Sequence, residues 1–277
     1  MIVHLLDGTY ELFRHFYGIR RGRGEDPPMG AAAGVLHTVL QMIEGGATHL
    51  GVATDHVVES FRNELWPGYK TSEGIDPVLH AQFHPLEDAL AAMGVAVWPM
   101  VELEADDGLA SASAIAARDA RVEKVCIWTP DKDLAQCVRG ERVVQVDRKS
   151  GAIRDAAAVQ AKFGVPPERI PDYLALVGDS ADGYPGVRGW GPKTAARLIG
   201  QYGPIESFPP ETLKDRAQAL LFKRLATLRD DAPLFDEVEE LRWRGTKPYF
   251  PAAARMLEDE RLVPRVRAIL EKRGSPA

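Results

Sequence analysis

The chain has little cysteine. Its 277 residues hold only Cys126 and Cys137, which excludes a disulfide framework, and neither sits at a zinc-type spacing. Cys126 lies in Val125-Cys126-Ile127-Trp128 and reads as a small buried hydrophobe. Long apolar runs are also missing. No stretch is long enough to span a bilayer. Asp7 interrupts the first apolar run, so no signal peptide is expected. Nor is there an excess of positive charge: 34 Lys and Arg face 40 Asp and Glu, for a net charge of −6. That argues against binding nucleic acid by bulk attraction but leaves room for a local basic patch. There is no Walker A motif and no nucleophile elbow. The seven histidines are scattered, and His80 and His84, though four apart, lack the zinc-protease pattern. They read as surface or loop residues. A cytoplasmic protein without membrane contact is the expectation.

What is present is an ordinary globular composition, 45% hydrophobic and 27% charged, enough for one large domain or two smaller ones. Apolar runs at 2–6, 48–54, 95–99, 122–129 and 143–146 predict strands. Helical patterns at 10–17, 31–44, 85–93, 104–118 and 134–138 alternate with them. This α/β order predicts a mostly parallel sheet with helices on both faces. Arg20, Arg21, Arg23 and Gly24 form a basic loop. After about residue 150 strand-like runs stop. Helices are predicted at 154–163, 172–177, 193–202, 212–227 and 252–257, and 272–277 reads as a frayed tail.

The stretch Glu104-Ala105-Asp106-Asp107 opens one of these helices. Acids suit a helix N-terminus, and alone they would be a solvated helix start. However, Asp7, Asp55 and Asp131 each follow a predicted strand. Asp133 lies two residues on, and Asp179 and Asp182 occupy a glycine-bounded turn. One aspartate after a strand is ordinarily a turn or cap residue. Nine acids at one sheet edge repel one another unless cations neutralise them. Two Mg²⁺ or Mn²⁺ ions about 4 Å apart in such a nest would suit hydrolysis of a phosphodiester.

A second stretch runs from Pro185-Gly186-Val187-Arg188-Gly189-Trp190-Gly191 into Pro192-Lys193-Thr194-Ala195-Ala196-Arg197. A glycine loop before a helix N-terminus is an anion site. Arg188, Lys193 and Arg197 add local positive charge, which would grip a phosphate backbone without reading bases.

Taken together, these blocks resemble the 5′ nuclease family: the 5′→3′ exonuclease domain of bacterial DNA polymerase I, phage 5′ exonucleases and flap endonucleases. The resemblance rests on Leu5-Leu6-Asp7-Gly8 with Arg14, Thr54-Asp55, Phe61-Arg62-Asn63-Glu64-Leu65 and Tyr69-Lys70. It continues through 104–107, Thr129-Pro130-Asp131-Lys132-Asp133, Gly178-Asp179-Ser180-Ala181-Asp182 and the glycine stretch. It implies a PIN-like domain over 1–165 with a helical arch at about 66–93. A helical region over 166–277 would contain a helix–three-turn–helix at about 172–205.

By that match Asp7, Asp55, Glu104, Asp106 and Asp107 would serve one ion, and Asp131, Asp133, Asp179 and Asp182 the other, with Asp107 bridging. Lys70 and Arg14 would stabilise the scissile phosphate. Tyr69 would stack on a base, and Arg62, Gly186, Arg188, Gly189, Gly191, Lys193, Thr194 and Arg197 would contact DNA. A K⁺ ion on backbone carbonyls would assist the glycine stretch. Glu73 stands where the family commonly has arginine, and Gly183 where it has asparagine. The partner implied is DNA with 5′ ends, flaps or branches, bound by a free-standing, nucleoid-associated monomer. A branched-DNA binder with weak or no cleavage, and an RNA-directed nuclease, are the other readings.

Overall fold

The computed structural model describes residues 1–19 and 27–274; the basic loop at 20–24 lies outside them. Six strands form one sheet: β1 (Ile2–Asp7), β2 (His49–Asp55), β3 (Ala96–Met100), β4 (Lys124–Trp128), β5 (Val143–Val146) and β6 (Ile153–Arg154). Their order is β3-β2-β1-β4-β5-β6. The first five run parallel, and β6 closes the edge antiparallel to β5. Two-residue β6 carries too little pattern to be read from sequence.

The central strands are apolar on both sides because both faces are covered. Leu6, Leu50 and Val52 point into one core with α2 (Gly30–Glu44) and α5 (Phe83–Ala92). Val3, Leu5, Ala53, Val125 and Ile127 point into the opposite core with α6 (Ala105–Arg118). All five parallel strands therefore end at one edge, where α6 begins.

The helical second part is built around α8 (Ile170–Val177), α9 (Pro192–Tyr202) and α10 (Arg216–Ala226), which share a third core. The chain then returns. Phe235, Val238 and Leu241 enter the α6 core. Trp243, together with Phe250 of α11 (Phe250–Met256) and Leu262, Val266 and Ile269 of α12 (Leu262–Lys272), joins the first core. So 166–277 is not one separate helical body. Helix α12 also occupies the residues before the expected frayed tail, of which 275–277 lie outside the description. No described helix is long and apolar enough to cross a membrane.

Of the segment at 66–93 expected to contain an arch, residues 79–92 are packed on the first core, whereas 71–78 contains no buried residue. The segment contains α4 (Pro77–His80) and α5, and Leu79, Phe83, Leu86 and Leu90 are buried in the first core. Apolar residues at helical spacing in 79–90 explain this, since an arch in solvent would expose them.

Candidate metal and nucleic-acid site

Parallel strands deliver their last residues to the same edge. Asp7 ends β1 and Asp55 ends β2. Asp55 Oδ1 accepts the Ala105 backbone N–H at 2.8 Å, so the second strand end is tied to the start of α6. Asp7 Oδ1 accepts the Tyr10 N–H at 2.8 Å, and its Oδ2 accepts the Thr129 hydroxyl at 3.0 Å. Thr129 also accepts the Asp131 N–H at 3.3 Å, and Asp131 Oδ1 accepts the Asp133 N–H at 2.9 Å. These bonds fold 129–133 back over the sheet edge.

The result is two carboxyl triads with one member in common. Asp106, Asp131 and Asp133 each offer an oxygen within 4.8 Å of the others, and so do Asp133, Asp179 and Asp182. Asp133 is buried, and its Oδ1 has no hydrogen-bond partner. Burial pushes Asp7 up to about 7, only partly opposed by the Tyr10 N–H, with Asp55 and Asp131 adding repulsion. Burial, then the charge of Asp131, raises Asp106 and Asp133 well above the usual carboxylate range. Asp55 and Asp182 are raised by burial too, with Lys70 opposing. A nest that drives its own acids toward protonation, offers only oxygen and leaves a buried oxygen without a hydrogen bond fits a hard divalent cation.

The acidic start of α6 divides. Residues 106 and 107 are about 100° apart on the helix, so they face different ways. Asp106 joins the first triad. Asp107 turns inward, fully buried, and holds Arg62 through two bonds of 2.7 and 2.8 Å. It also accepts the backbone N–H groups of Glu104 at 3.0 Å and Arg229 at 2.8 Å. The expected bridging by Asp107 is therefore not what the geometry offers, since its oxygens are committed. Asp133 is the acid common to both triads. Glu104 is likewise engaged, accepting from Ser60 at 2.7 Å, Arg62 at 2.8 Å and Tyr69 at 3.3 Å. Burial acts to raise its pKa, but Lys70 and Arg62 hold it below its ordinary value.

Two residues expected to touch DNA are interior. Arg62 is 1% exposed, and its guanidinium also donates to the carbonyls of Leu225 and Thr227. Tyr69 is 4% exposed, too enclosed to stack on a base. Their pairing with Glu104 and Asp107, some 35–45 residues away, is what no local pattern shows. Lys70 does reach the site: its Nζ lies 2.6 Å from Glu104 and 3.1 Å from Asp182. Arg14, on α1 (Gly8–Ile19), bonds Glu11 at 2.6 and 2.9 Å rather than a site carboxylate. Lys132, not among the residues expected at the site, also reaches it. Its ammonium ion-pairs with Asp179, and its signal was a lysine flanked by two acids.

The glycine stretch joins α8 to α9. Asp179 and Tyr184 exchange backbone bonds of 2.8 and 3.0 Å, closing a tight turn. The Lys70 N–H donates to the Asp182 carbonyl at 3.0 Å, and Trp66 Nε1 donates to Gly183 O at 3.0 Å. This locks the turn onto 66–70. Gly183 has φ +83, and a Cβ there would lie 2.0 Å from Gly68 O. The glycine thus tightens the turn where asparagine could not fit. Gly186 is buried, and Thr194 and Gly191 are half-buried. Arg188, Gly189, Lys193 and Arg197 are exposed, and nothing lies within 4 Å of where side chains would begin at Gly189 or Gly191. Pro192 opens α9 behind them, leaving backbone N–H groups toward solvent.

A carboxylate nest at the carboxyl edge of a parallel sheet, in a chain whose helical second part presents an exposed cationic helix start, is the equipment of a metal-dependent nuclease. The chain belongs to the 5′-3′ exonuclease family. Residues 2–164 match its N-terminal resolvase-like domain and 165–248 its C-terminal SAM fold. It is 32% identical over 209 residues to the 5′-3′ exonuclease of Aquifex aeolicus, covering 74% of this chain and 71% of that protein. It is 34% identical over 262 residues to DNA polymerase I of Pseudomonas aeruginosa, covering 86% of this chain but only 28% of the polymerase. Among solved structures, T5 5′-exonuclease with bound zinc superposes with a TM-score of 0.64 at 16% identity, over 98% of this chain and 99% of that one. The catalytic core of Rad2 with DNA substrate gives 0.60 at 14% identity, over 95% and 90%. At these identities the structural likeness speaks to the fold.

Proposed function

We propose that this chain hydrolyses DNA phosphodiester bonds at 5′ ends or 5′ flaps, using two Mg²⁺ or Mn²⁺ ions. The observation that carries this reading is the pair of carboxyl triads meeting at Asp133. Asp7, Asp55, Asp106 and Asp131 would hold one ion, and Asp179 and Asp182 the other, with Asp133 serving both. Bound there, the ions would neutralise the scissile phosphate and lower the pKa of a water.

The chain's own residues do the rest. Glu104 and Asp182 hold the Lys70 ammonium at the rim, where it can meet negative charge on the phosphate. Asp107 and Arg62 set the angle of α6. Arg188, Lys193, Arg197 and Thr194, with the backbone at Gly186, Gly189 and Gly191, grip the duplex by its phosphates. A K⁺ ion on that loop's carbonyls and a monomeric state belong to the same reading, as does a functional division near residue 165. Location with the nucleoid follows from such a substrate.

The test is cleavage of a labelled 5′-flap duplex with and without Mg²⁺. Asp131→Ala should abolish cleavage while melting within a few degrees of the wild type. Full activity in that variant, or wild-type cleavage in EDTA, would sink the two-ion reading.

A further inference from the structure

The two triads keep different company. Among the described residues no ion pair reaches Asp7, Asp55, Asp106 or Asp131. The second triad, in contrast, is flanked by two ammonium groups. Lys70 Nζ is 3.1 Å from Asp182, but it is anchored more closely, at 2.6 Å, to Glu104, which belongs to neither triad. Among the described residues, Lys132 has no such outside anchor. Its Nζ pairs with Asp179 Oδ2 and lies 3.8 Å from Asp133 Oδ1, the buried oxygen that has no hydrogen-bond partner. The side chain is 35% exposed, so it has a route out to solvent. It is also fixed in sequence between Asp131 and Asp133, so the charge can retreat only by the length of one side chain.

We propose that Lys132 is a tethered cation for the Asp133, Asp179 and Asp182 pocket, holding its carboxylates together when no ion is present and withdrawing when a divalent ion enters. This rests on the metal-dependent reading above. A lysine ammonium is a compact point charge with three donors on a flexible stem, suited to a place that must be vacated. Because it competes with the incoming ion, it weakens binding at this pocket most, where it pairs with Asp179 as well as with the shared Asp133. The two ions are therefore held unequally, and the carboxylates around Asp179 remain ordered before the second ion arrives.

The experiment is calorimetric titration of Mn²⁺ into the full chain without DNA, for the wild type, Lys132→Met and Lys132→Arg. Lys132→Met should bind Mn²⁺ at its weaker site at least about fivefold more tightly, the size of one ion-pair interaction at 4 Å even in water. It should also melt below the wild type in EDTA, while Lys132→Arg keeps both properties. Equal or weaker Mn²⁺ binding by Lys132→Met overturns the proposal. A second measurement needs no variant. Lys132 in the wild type should react faster with an amine-selective ester in saturating Mn²⁺ than in EDTA, and equal rates overturn the proposal. Absence of any Mn²⁺ binding by the wild type would instead overturn the metal-dependent reading.

Discussion

Arg62 and Asp107 meet inside the protein as a two-point ion pair, at 2.7 and 2.8 Å, with neither side chain more than 1% exposed. Neither touches solvent, so each charge depends on its buried partners, Glu104 among those of Arg62.

Removing the cation should therefore be costly. Arg62→Ala is expected to destabilise the fold by about 3–5 kcal/mol, the usual effect of stripping one partner from a buried pair. Asp107→Asn should cost less, because it keeps the shape and one acceptor. Urea unfolding of both variants checks this. A loss under about 1 kcal/mol for Arg62→Ala would mean that the pair does not hold in solution.

Asp7 sets the sign of a pH dependence. Its folded pKa is raised to about 7 from 3.8, so the folded chain binds the extra proton. That stability is complete below about pH 4 and is lost as pH rises toward 7. Asp55, Asp106, Asp133 and Asp182 shift in the same direction. In EDTA the urea midpoint should fall over this window. Added Mg²⁺ should flatten or reverse the fall, since ions bind the deprotonated acids. A midpoint that climbs from pH 4 to 7 in EDTA would contradict the burial of these carboxyls.

Gly183 tests the turn. Its φ of +83 and the 2.0 Å approach to Gly68 O leave no room for a side chain. Gly183→Ala should cost about 1–3 kcal/mol of backbone strain and separate Asp182 from Lys70. Gly183→Asn should do no better, although asparagine tolerates positive φ. Melting curves and Mn²⁺ affinity would show it; a neutral Gly183→Asn would mean the loop at 66–70 yields.

The glycine stretch should contribute charge rather than sequence preference. Lys193→Gln and Arg197→Gln should each weaken duplex binding on any sequence and lower the salt slope of log K by about 1. Fluorescence anisotropy across a salt series measures this. An unchanged slope would move the duplex elsewhere on the surface.

The parallel sheet was readable because alternating apolar runs and helices allow few other architectures, and the aspartates at strand ends carried the site with them. Less readable was which acids look outward. Asp106 and Asp107 are neighbours in sequence, and only the rotation of α6 separates a triad member from the partner of a buried arginine. Arg62 and Tyr69 looked like DNA contacts because their motif is basic and aromatic. Both are held inside by Glu104, and Arg62 also by carbonyls more than 150 residues away, which no local pattern encodes. The return of α11 and α12 to the first core was hidden for the same reason: amphipathic spacing shows that a face is buried, not against what.

Arg62 also donates to the carbonyls of Leu225 and Thr227, and Asp107 accepts from the N–H of Arg229. The cage around the start of α6 thus takes its last struts from residues made long after the acids themselves. Chains ended before Leu225 should leave α6 open to protease. During synthesis, the cage around Arg62 and Asp107 can close only once these late residues have emerged.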